Sequence, residues 1–296
     1  MDLSNLIDGI AQAAAEANAA QNGDYISDDG LLYCGKCKTP KQCKVNIFGS
    51  ERTVYCLCKC GVEKRDAEKA EQERRERLMK IQRMRQTGFP DGDMQNWTFE
   101  NDDGKNEYIS EIARNYVKNF DEMKKRGKGL LLFGTVGTGK TFISACIANA
   151  LIDSGHACLV TNFARLVNTI GGMFEGKQDY IDSLNRYDLL VIDDLASERD
   201  TEYMGEIVQN IIDSRYRAGL PLIITTNLTA DELKRPAEIR KQRIYSRLFE
   251  MCVPVEVKGK DRRKQKLRDE YGEIGDLLGL NAAQRNEKEK TDDKTP

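Results

Sequence analysis

Three groups of residues have the types and spacing to do chemistry. Gly134, Thr135, Val136, Gly137, Thr138, Gly139, Lys140 and Thr141 fit the pattern G-x-x-x-x-G-K-[ST] of a phosphate-binding loop. Glycines there let backbone N–H groups close on phosphate oxygens, and a following helix adds the positive end of its dipole. In that pattern Lys140 reaches the β- and γ-phosphates of a nucleotide, and the Thr141 hydroxyl ligates Mg²⁺. The second group closes two apolar runs. Asp193 and Asp194 end the run from Asp188, and Asn227 ends the run from Leu220. Asp193 stands where a carboxylate holds the Mg²⁺ shell, and Asp194 beside it can orient or deprotonate an attacking water. Asn227 can hold that water near the γ-phosphate, cap the next turn, or do both. The third group is sulfur. Six of the nine cysteines fall between residues 34 and 60. Cys34 and Cys37 form a C-x-x-C knuckle, and Cys56, Cys58 and Cys60 come after a short hairpin pattern. Zn²⁺ takes four soft ligands in a tetrahedron, so Cys34, Cys37 and two of the last three make a zinc site, with Cys43 a bystander. The rival, a redox-active pair, usually sits in a βαβ setting that this stretch lacks.

The elements that must carry these groups are legible as patterns. Leu130 to Phe133 reads as a buried parallel strand entering the phosphate loop, and Phe142, Ile143, Cys146, Ile147, Ala150 and Leu151 recur at helical spacing after it. Further strands are read at 157–161, 188–194 and 220–227. Helices are read from Tyr108 to Phe120, from Asn162 to about Ile170, and from Met204 to Tyr216. Gly171 to Gly176 reads as a mobile loop. Arg243 and Arg247 lie four apart on one helical face. That face is either a solvated surface or a guanidinium offered to a neighbouring subunit's γ-phosphate. A basic run from Lys258 to Arg268 comes next.

Composition sets outer bounds. The 296 residues are 40% hydrophobic and 32% charged, with a formal net charge of −2, so a globally basic nucleic-acid binder is not indicated. No apolar run approaches the ~20 residues of a membrane-spanning helix, and the N-terminus lacks the features of a signal peptide. A cytoplasmic location is therefore the expectation, in which cysteines serve as metal ligands or free thiols rather than disulfides. The expected organisation is an N-terminal arm at 1–33, with a short alanine-rich helix, and a cysteine-rich zinc module at 34–60. After these come a charged linker helix at 61–88, an α/β nucleotide-binding domain at 89–268 and a largely disordered tail at 269–296. Arginines between 65 and 85 and the run from Lys258 are candidates for DNA contact.

In this order and spacing, Gly134–Thr141, Asp188–Leu195, Thr225–Asn227 and Arg243–Leu248 resemble the AAA+ ATPases of the DnaC/DnaI helicase-loader and IstB group, over roughly residues 97–265. The cysteine module is similar to the N-terminal zinc region of many bacterial and phage loaders. The resemblance implies a P-loop ATPase fold with a five-stranded parallel sheet of 51432 order flanked by helices. It implies ATP, Mg²⁺ and Zn²⁺ as ligands, with Lys140 and Thr141 in the Walker A positions and Asp193 as the Walker B magnesium aspartate. Asn227 falls at sensor 1, Arg247 at the trans-acting arginine finger, and Arg263 at sensor 2. The function implied is ATP-dependent loading of a replicative helicase hexamer onto single-stranded DNA, with subunits meeting through the ATP site. The alternatives are an IstB-like ATPase that binds duplex DNA and regulates a transposase, and a scaffold that binds ATP without cycling. The sequence departs from the family in carrying Asp193-Asp194 where most members have Asp-Glu. The shorter carboxylate predicts slow hydrolysis. Too little chain comes after Arg247 for the usual helical lid, a truncation that helicase loaders share.

Overall fold

The computed structural model describes residues 23–278 except Phe48, Asp91 and 196–201, and only part of the side chains in its last helix. The alanine-rich pattern around Leu6 to Ala14 and the polar tail from Asn281 lie outside the described residues. The chain divides into two compact units, residues 1–79 and 80–296.

In the first unit, β1 (Tyr25–Ile26) pairs antiparallel with β2 (Leu32–Tyr33), inside the stretch read from sequence as an arm. Asp24 ties that hairpin to the cysteine knuckle and the strand beyond it, accepting from the Gly35 amide at 2.9 Å and from the buried Lys41 ammonium at 2.6 Å. A second hairpin joins β3 (Gln42–Ile47) to β4 (Ser50–Tyr55), in register from Gln42 opposite Tyr55 to Ile47 opposite Ser50. Gly49 in its turn sits at φ 80°, a region open to glycine without steric cost. Helix α1 (Lys59–Gly88) then begins. Its only buried residue is Gly88, and pairs such as Glu71–Arg75 at 3.1 Å and Lys64–Glu68 at 3.7 Å line its surface. Such exposed pairs contribute about 0.3–0.5 kcal/mol each, and apolar packing is confined to the end of the helix, where Ile81 and Met84 lie against a hydrophobic core.

The second unit opens with two 3₁₀ turns, Gly92–Asn96 and Phe99–Asn101, followed by α2 (Glu107–Lys118) and α3 (Phe120–Lys125). From there strands and helices alternate: β5 (Gly129–Phe133), α4 (Lys140–Asp153), β6 (Cys158–Asn162), α5 (Phe163–Gly171), α6 (Lys177–Ser183) and β7 (Leu189–Leu195). They continue through α7 (Glu202–Ala218), β8 (Leu222–Thr226), α8 (Ala230–Lys234), α9 (Ile239–Met251), β9 (Cys252–Glu256) and α10 (Arg262–Leu277). The strands are parallel in the order β6-β7-β8-β5-β9, which counted from β5 is 51432, as the resemblance implies.

Alternation along the strands feeds two cores. Leu131, Leu190, Ile192, Leu222 and Ile224 face one cluster with Leu166 and Ile170 of α5, Ile207 and Ile211 of α7, and Leu248 of α9. Their neighbours Leu130, Leu132, Leu189, Val191 and Ile223 face the other, with Ile109 and Tyr116 of α2 and Ile143, Ile147 and Leu151 of α4. Each such side chain contributes about 1.5–3 kcal/mol of burial. Arg215 of α7 is buried among carbonyls. It donates to those of Tyr187 at 2.8 Å, Pro221 at 2.9 Å and Asp188 at 3.1 Å, lacing the starts of β7 and β8 together. Burial draws its pKa down to about 10. Among the described residues no helix is long and apolar enough to cross a membrane.

Candidate functional site

The parallel sheet sets its functional groups at the carboxyl ends of β5, β7 and β8, the place where open α/β sheets collect ligands. Between β5 and α4 the loop turns through Gly134, Gly137 and Gly139 at φ 136°, 78° and 96°. Two of these positions are also crowded. A Cβ on Gly137 would stand 2.0 Å from an Asp261 carboxylate oxygen, and one on Gly134 would stand 2.7 Å from the Val257 carbonyl. Lys140, buried at the start of α4, donates to the Gly134 and Thr135 carbonyls at 2.8 and 2.7 Å and to Asn227 Oδ1 at 2.9 Å. Thr138 braces the same loop, its hydroxyl 3.0 Å from the Thr135 carbonyl.

Asp193 receives the Thr141 hydroxyl at 2.9 and 3.0 Å on its two oxygens, and the Thr225 hydroxyl on one of them. Burial pushes its pKa up; the two hydroxyls and Lys140 pull the other way, and the Asp194 charge adds to the rise. Asp194 has φ 63°, a left-handed conformation uncommon outside glycine, and the β7–β8 register shifts between Ile192 and Leu195. It is held there from two directions. Its amide donates to Thr225 Oγ1 at 3.0 Å, and its carboxylate accepts from Asn227 Nδ2 at 3.0 Å. Asn227 therefore bridges Lys140 and Asp194, while the next turn is capped by Thr229, in a capping box with Glu232. The reading of Asn227 as a cap is corrected by that geometry. Thr225, which sequence reasoning left without a role, is the residue in contact with both carboxylate positions. Its signal was only its place two residues before Asn227.

These groups line a cavity of about 550 Å³, together with Val136, Gly137, Thr138, Gly139 and Phe142 of the loop and helix, and Met94, Trp97, Asn101 and Asp103 of the preceding segment. Arg262 also lines it. Its amide donates to the Gly137 carbonyl at 3.0 Å and its guanidinium pairs with Asp103 at 3.0 Å. Arg263 is the next residue of α10, and its side chain lies outside the described residues. Arg247 is not among the lining residues of this cavity. It stands on α9, about one-third exposed, with its guanidinium against Asp213 of α7.

The sulfur centre is built on the first unit alone. The Sγ atoms of Cys34, Cys37, Cys58 and Cys60 all lie within 4.8 Å of one another. Of the three later cysteines, Cys56 stands outside. Its amide is still in the hairpin ladder, donating to the Lys41 carbonyl at 2.8 Å, and its thiol faces the Pro40 carbonyl at 3.7 Å. Cys58 and Cys60 lie where the chain leaves the ladder and enters α1, free to turn toward the knuckle. The thiols are unevenly poised. The Thr39 hydroxyl, 3.0 Å away, and backbone donors bring Cys37 down to about 5, whereas the surrounding sulfurs, Cys58 first, push Cys60 up to about 12. Crowded sulfurs of this kind suit a cation among them, and four thiols match the ligand count of a tetrahedral metal.

A family model described as IstB-like ATP binding protein matches residues 62–270, more than half of the chain. The replicative helicase loader DnaI of Bacillus subtilis (strain 168) is 26% identical over 160 residues, which cover 50% of this chain and 51% of that protein. The replicative helicase loader DnaC of Escherichia coli (strain K12) is 29% identical over 171 residues, covering 55% of this chain and 68% of that protein. A crystal structure of the DnaI superposes with a TM-score of 0.47 at 22% identity, covering 56% of this chain and 93% of that one. The chain spans about half the length of the Bacillus relatives it matches.

Proposed function

The chain belongs to the family of IstB-like ATP binding proteins, and we propose that within it the protein is an ATPase that loads a replicative DNA helicase onto single-stranded DNA. The observation that carries this reading is the four-thiol centre in a unit of its own, joined in one chain to the nucleotide cavity. A metal-folded module without catalytic groups serves as a grip on a partner, and the relatives named as helicase loaders indicate which partner. Zn²⁺ would be held by Cys34, Cys37, Cys58 and Cys60, and when bound it supplies folding energy to a piece with little core. A loader of this kind works in the cytoplasm, where the bacterial chromosome is.

At the nucleotide cavity the residues present fit ATP and Mg²⁺. Lys140 would exchange its bonds to the Gly134 and Thr135 carbonyls for phosphate oxygens, and Thr141 with Asp193 would hold the metal. Mg²⁺ when bound neutralises charge on the phosphates. Asp194, fixed by Thr225 and Asn227, orients the attacking water and takes its proton. Its side chain is one methylene shorter than the family's usual glutamate, and hydrolysis in the absence of helicase and DNA is slow on this reading. Arg262, which lines the cavity, supplies positive charge at the end of the loop.

Arg247 would complete the site of the next subunit rather than its own. Arg247→Ala is expected to abolish hydrolysis while leaving ATP affinity unchanged. Asp213→Ala, which frees Arg247 from its ion pair, is expected to retain hydrolysis. Steady-state ATPase measurements on both, beside their melting curves, check this. Equal loss of activity and stability in the two variants would reduce the pair to a structural contact and remove the subunit-interface model.

The test of the whole reading is capture of the host's replicative helicase by the intact protein, with and without ATP and with and without a zinc chelator. Chelator-sensitive capture supports the loader. No capture, with ATP-dependent coating of duplex DNA instead, replaces it with the transposase-regulating reading.

A further inference from the structure

We propose that Asn149 is a positioning residue that shapes the base-binding part of the nucleotide cavity, and that through it the protein favours purine over pyrimidine triphosphates. The inference rests on reading the cavity as an ATP site and adds what selects the base. The lining divides into two chemistries. Lys140, Thr141, Asp193 and Asn227 are suited to phosphates and a metal, whereas Met94, Trp97 and Phe142 offer apolar and aromatic surface. The Trp97 and Phe142 rings lie 6.0 Å apart, tilted by 40°. A purine presents more ring area to such a wall than a pyrimidine does, so the wall discriminates only if its position is fixed.

The segment that carries Met94 and Trp97 is held within itself by short-range bonds, from the Trp97 amide to the Met94 carbonyl at 3.2 Å and from the Thr98 hydroxyl to Asn101 at 2.7 Å, and these do not tie it to α4. It consists of two short 3₁₀ turns, and the second has no side-chain cap. Asn149 supplies the anchor. It is 1% exposed on α4, and its side-chain nitrogen donates to the Met94 and Trp97 carbonyls, both at 2.9 Å, and approaches the Ala145 carbonyl at 3.2 Å. Three carbonyls around one nitrogen fix the amide orientation, because turning it would set oxygen against oxygen. The same helix begins with Lys140 and Thr141. One rigid element thus carries the phosphate grips at its start and the pin of the base wall further along. Asn149 itself is not among the cavity's lining residues, so it acts through the segment it holds.

Trp97 is the chain's only tryptophan, so its fluorescence reports on the wall directly. The experiment measures ATP and UTP binding in Mg²⁺ to the full chain and to Asn149→Ser and Asn149→Asp, by calorimetry and Trp97 emission. Steady-state ATPase rates are recorded alongside. Asn149→Asp keeps the side chain's shape and removes its donors. The wild type is expected to bind ATP more tightly than UTP. Each variant is expected to lose about tenfold in ATP affinity, as two cross-segment hydrogen bonds are worth. UTP affinity should hold, KM for ATP should rise with kcat retained, and Trp97 emission without nucleotide should shift to the red. Equal losses for ATP and UTP, an unchanged ATP affinity, or a wild type without purine preference would each overturn the proposal. Loss of a cooperative melt in both variants would assign Asn149 to the fold alone and overturn it as well. A wild type that binds neither nucleotide would instead sink the ATPase reading.

Discussion

Cys58→Ser is expected to strip the protein of bound zinc and unfold the hairpins before α1, while Cys56→Ser, two residues away, leaves both metal and fold in place. The contrast comes from geometry. Cys58 is one of four thiols gathered within 4.8 Å, and Cys56 is held in the ladder beside them. The size of the effect is set by how little else could hold the unit together. Among the described residues from 23 to 58, the buried ones are Cys34, Lys41 and Cys58, and none of them is a large apolar side chain. With zinc at the four thiols, as proposed, a module of this size without a core would depend on its metal, since structural zinc in comparable peptides is worth roughly 10–16 kcal/mol of apparent binding energy. Zinc content by atomic emission and limited proteolysis of the N-terminal region read both outcomes. Equal zinc loss in the two variants would mean that the centre is not the one the four sulfurs describe.

The second large effect is at Asp193. Asp193→Asn is expected to lower ATP hydrolysis by roughly a hundredfold or more, the loss expected when a metal loses its charged ligand. The same variant should not weaken the fold without nucleotide. Burial raises the Asp193 pKa above 3.8, so between 3.8 and the raised value the folded chain holds a proton that the unfolded chain has released. Stability therefore falls as pH rises through that window, and at neutral pH the charged carboxylate is a net burden on the empty protein. Asparagine removes the charge and keeps the shape. Melting curves without Mg²⁺ should place the variant at or above the wild type at pH 7, and Mg²⁺ with ATP should stabilise only the wild type. A variant that melts well below the wild type in the absence of ligand would contradict the assignment of Asp193 as a partly buried charge waiting for a cation.

What could be read in the sequence was whatever chemistry is local. The loop from Gly134 to Thr141 declares itself because glycine, lysine and threonine must stand in one short stretch between a strand and a helix, and the structure has β5 and α4 on either side. The apolar runs ending at Asp193 and Asn227 were legible for the same reason, as was a knuckle at Cys34 and Cys37. Long-range partners were not. Nothing in the run from Cys56 to Cys60 tells which thiols turn inward, since that depends on where the β4 ladder releases the chain. The contacts of Arg262 with the Gly137 carbonyl and Asp103 join residues far apart in the chain, which no local pattern announces. Asn149 reads as an ordinary interior residue of a helix until the Met94 and Trp97 carbonyls appear beside it. Arg247 offered its spacing from Arg243, but its ion pair with Asp213 needed the packing of α9 on α7.

The strand order also governs how this protein can be made. β5 is flanked by β8 and β9, so Leu130 waits for Ile223 and Gly129 for Cys252. During synthesis the strand that carries the phosphate loop leaves the ribosome before β6, β7 and both of its own neighbours, β8 and β9. Pairing across such sequence distances closes large loops before any contact rewards it, which makes assembly slow and leaves an apolar strand exposed meanwhile. The nucleotide cavity, which draws on residues from Met94 to Arg262, is accordingly among the last features to exist. A nascent chain stalled before β9 should carry every residue of the phosphate loop and still fail to retain ATP.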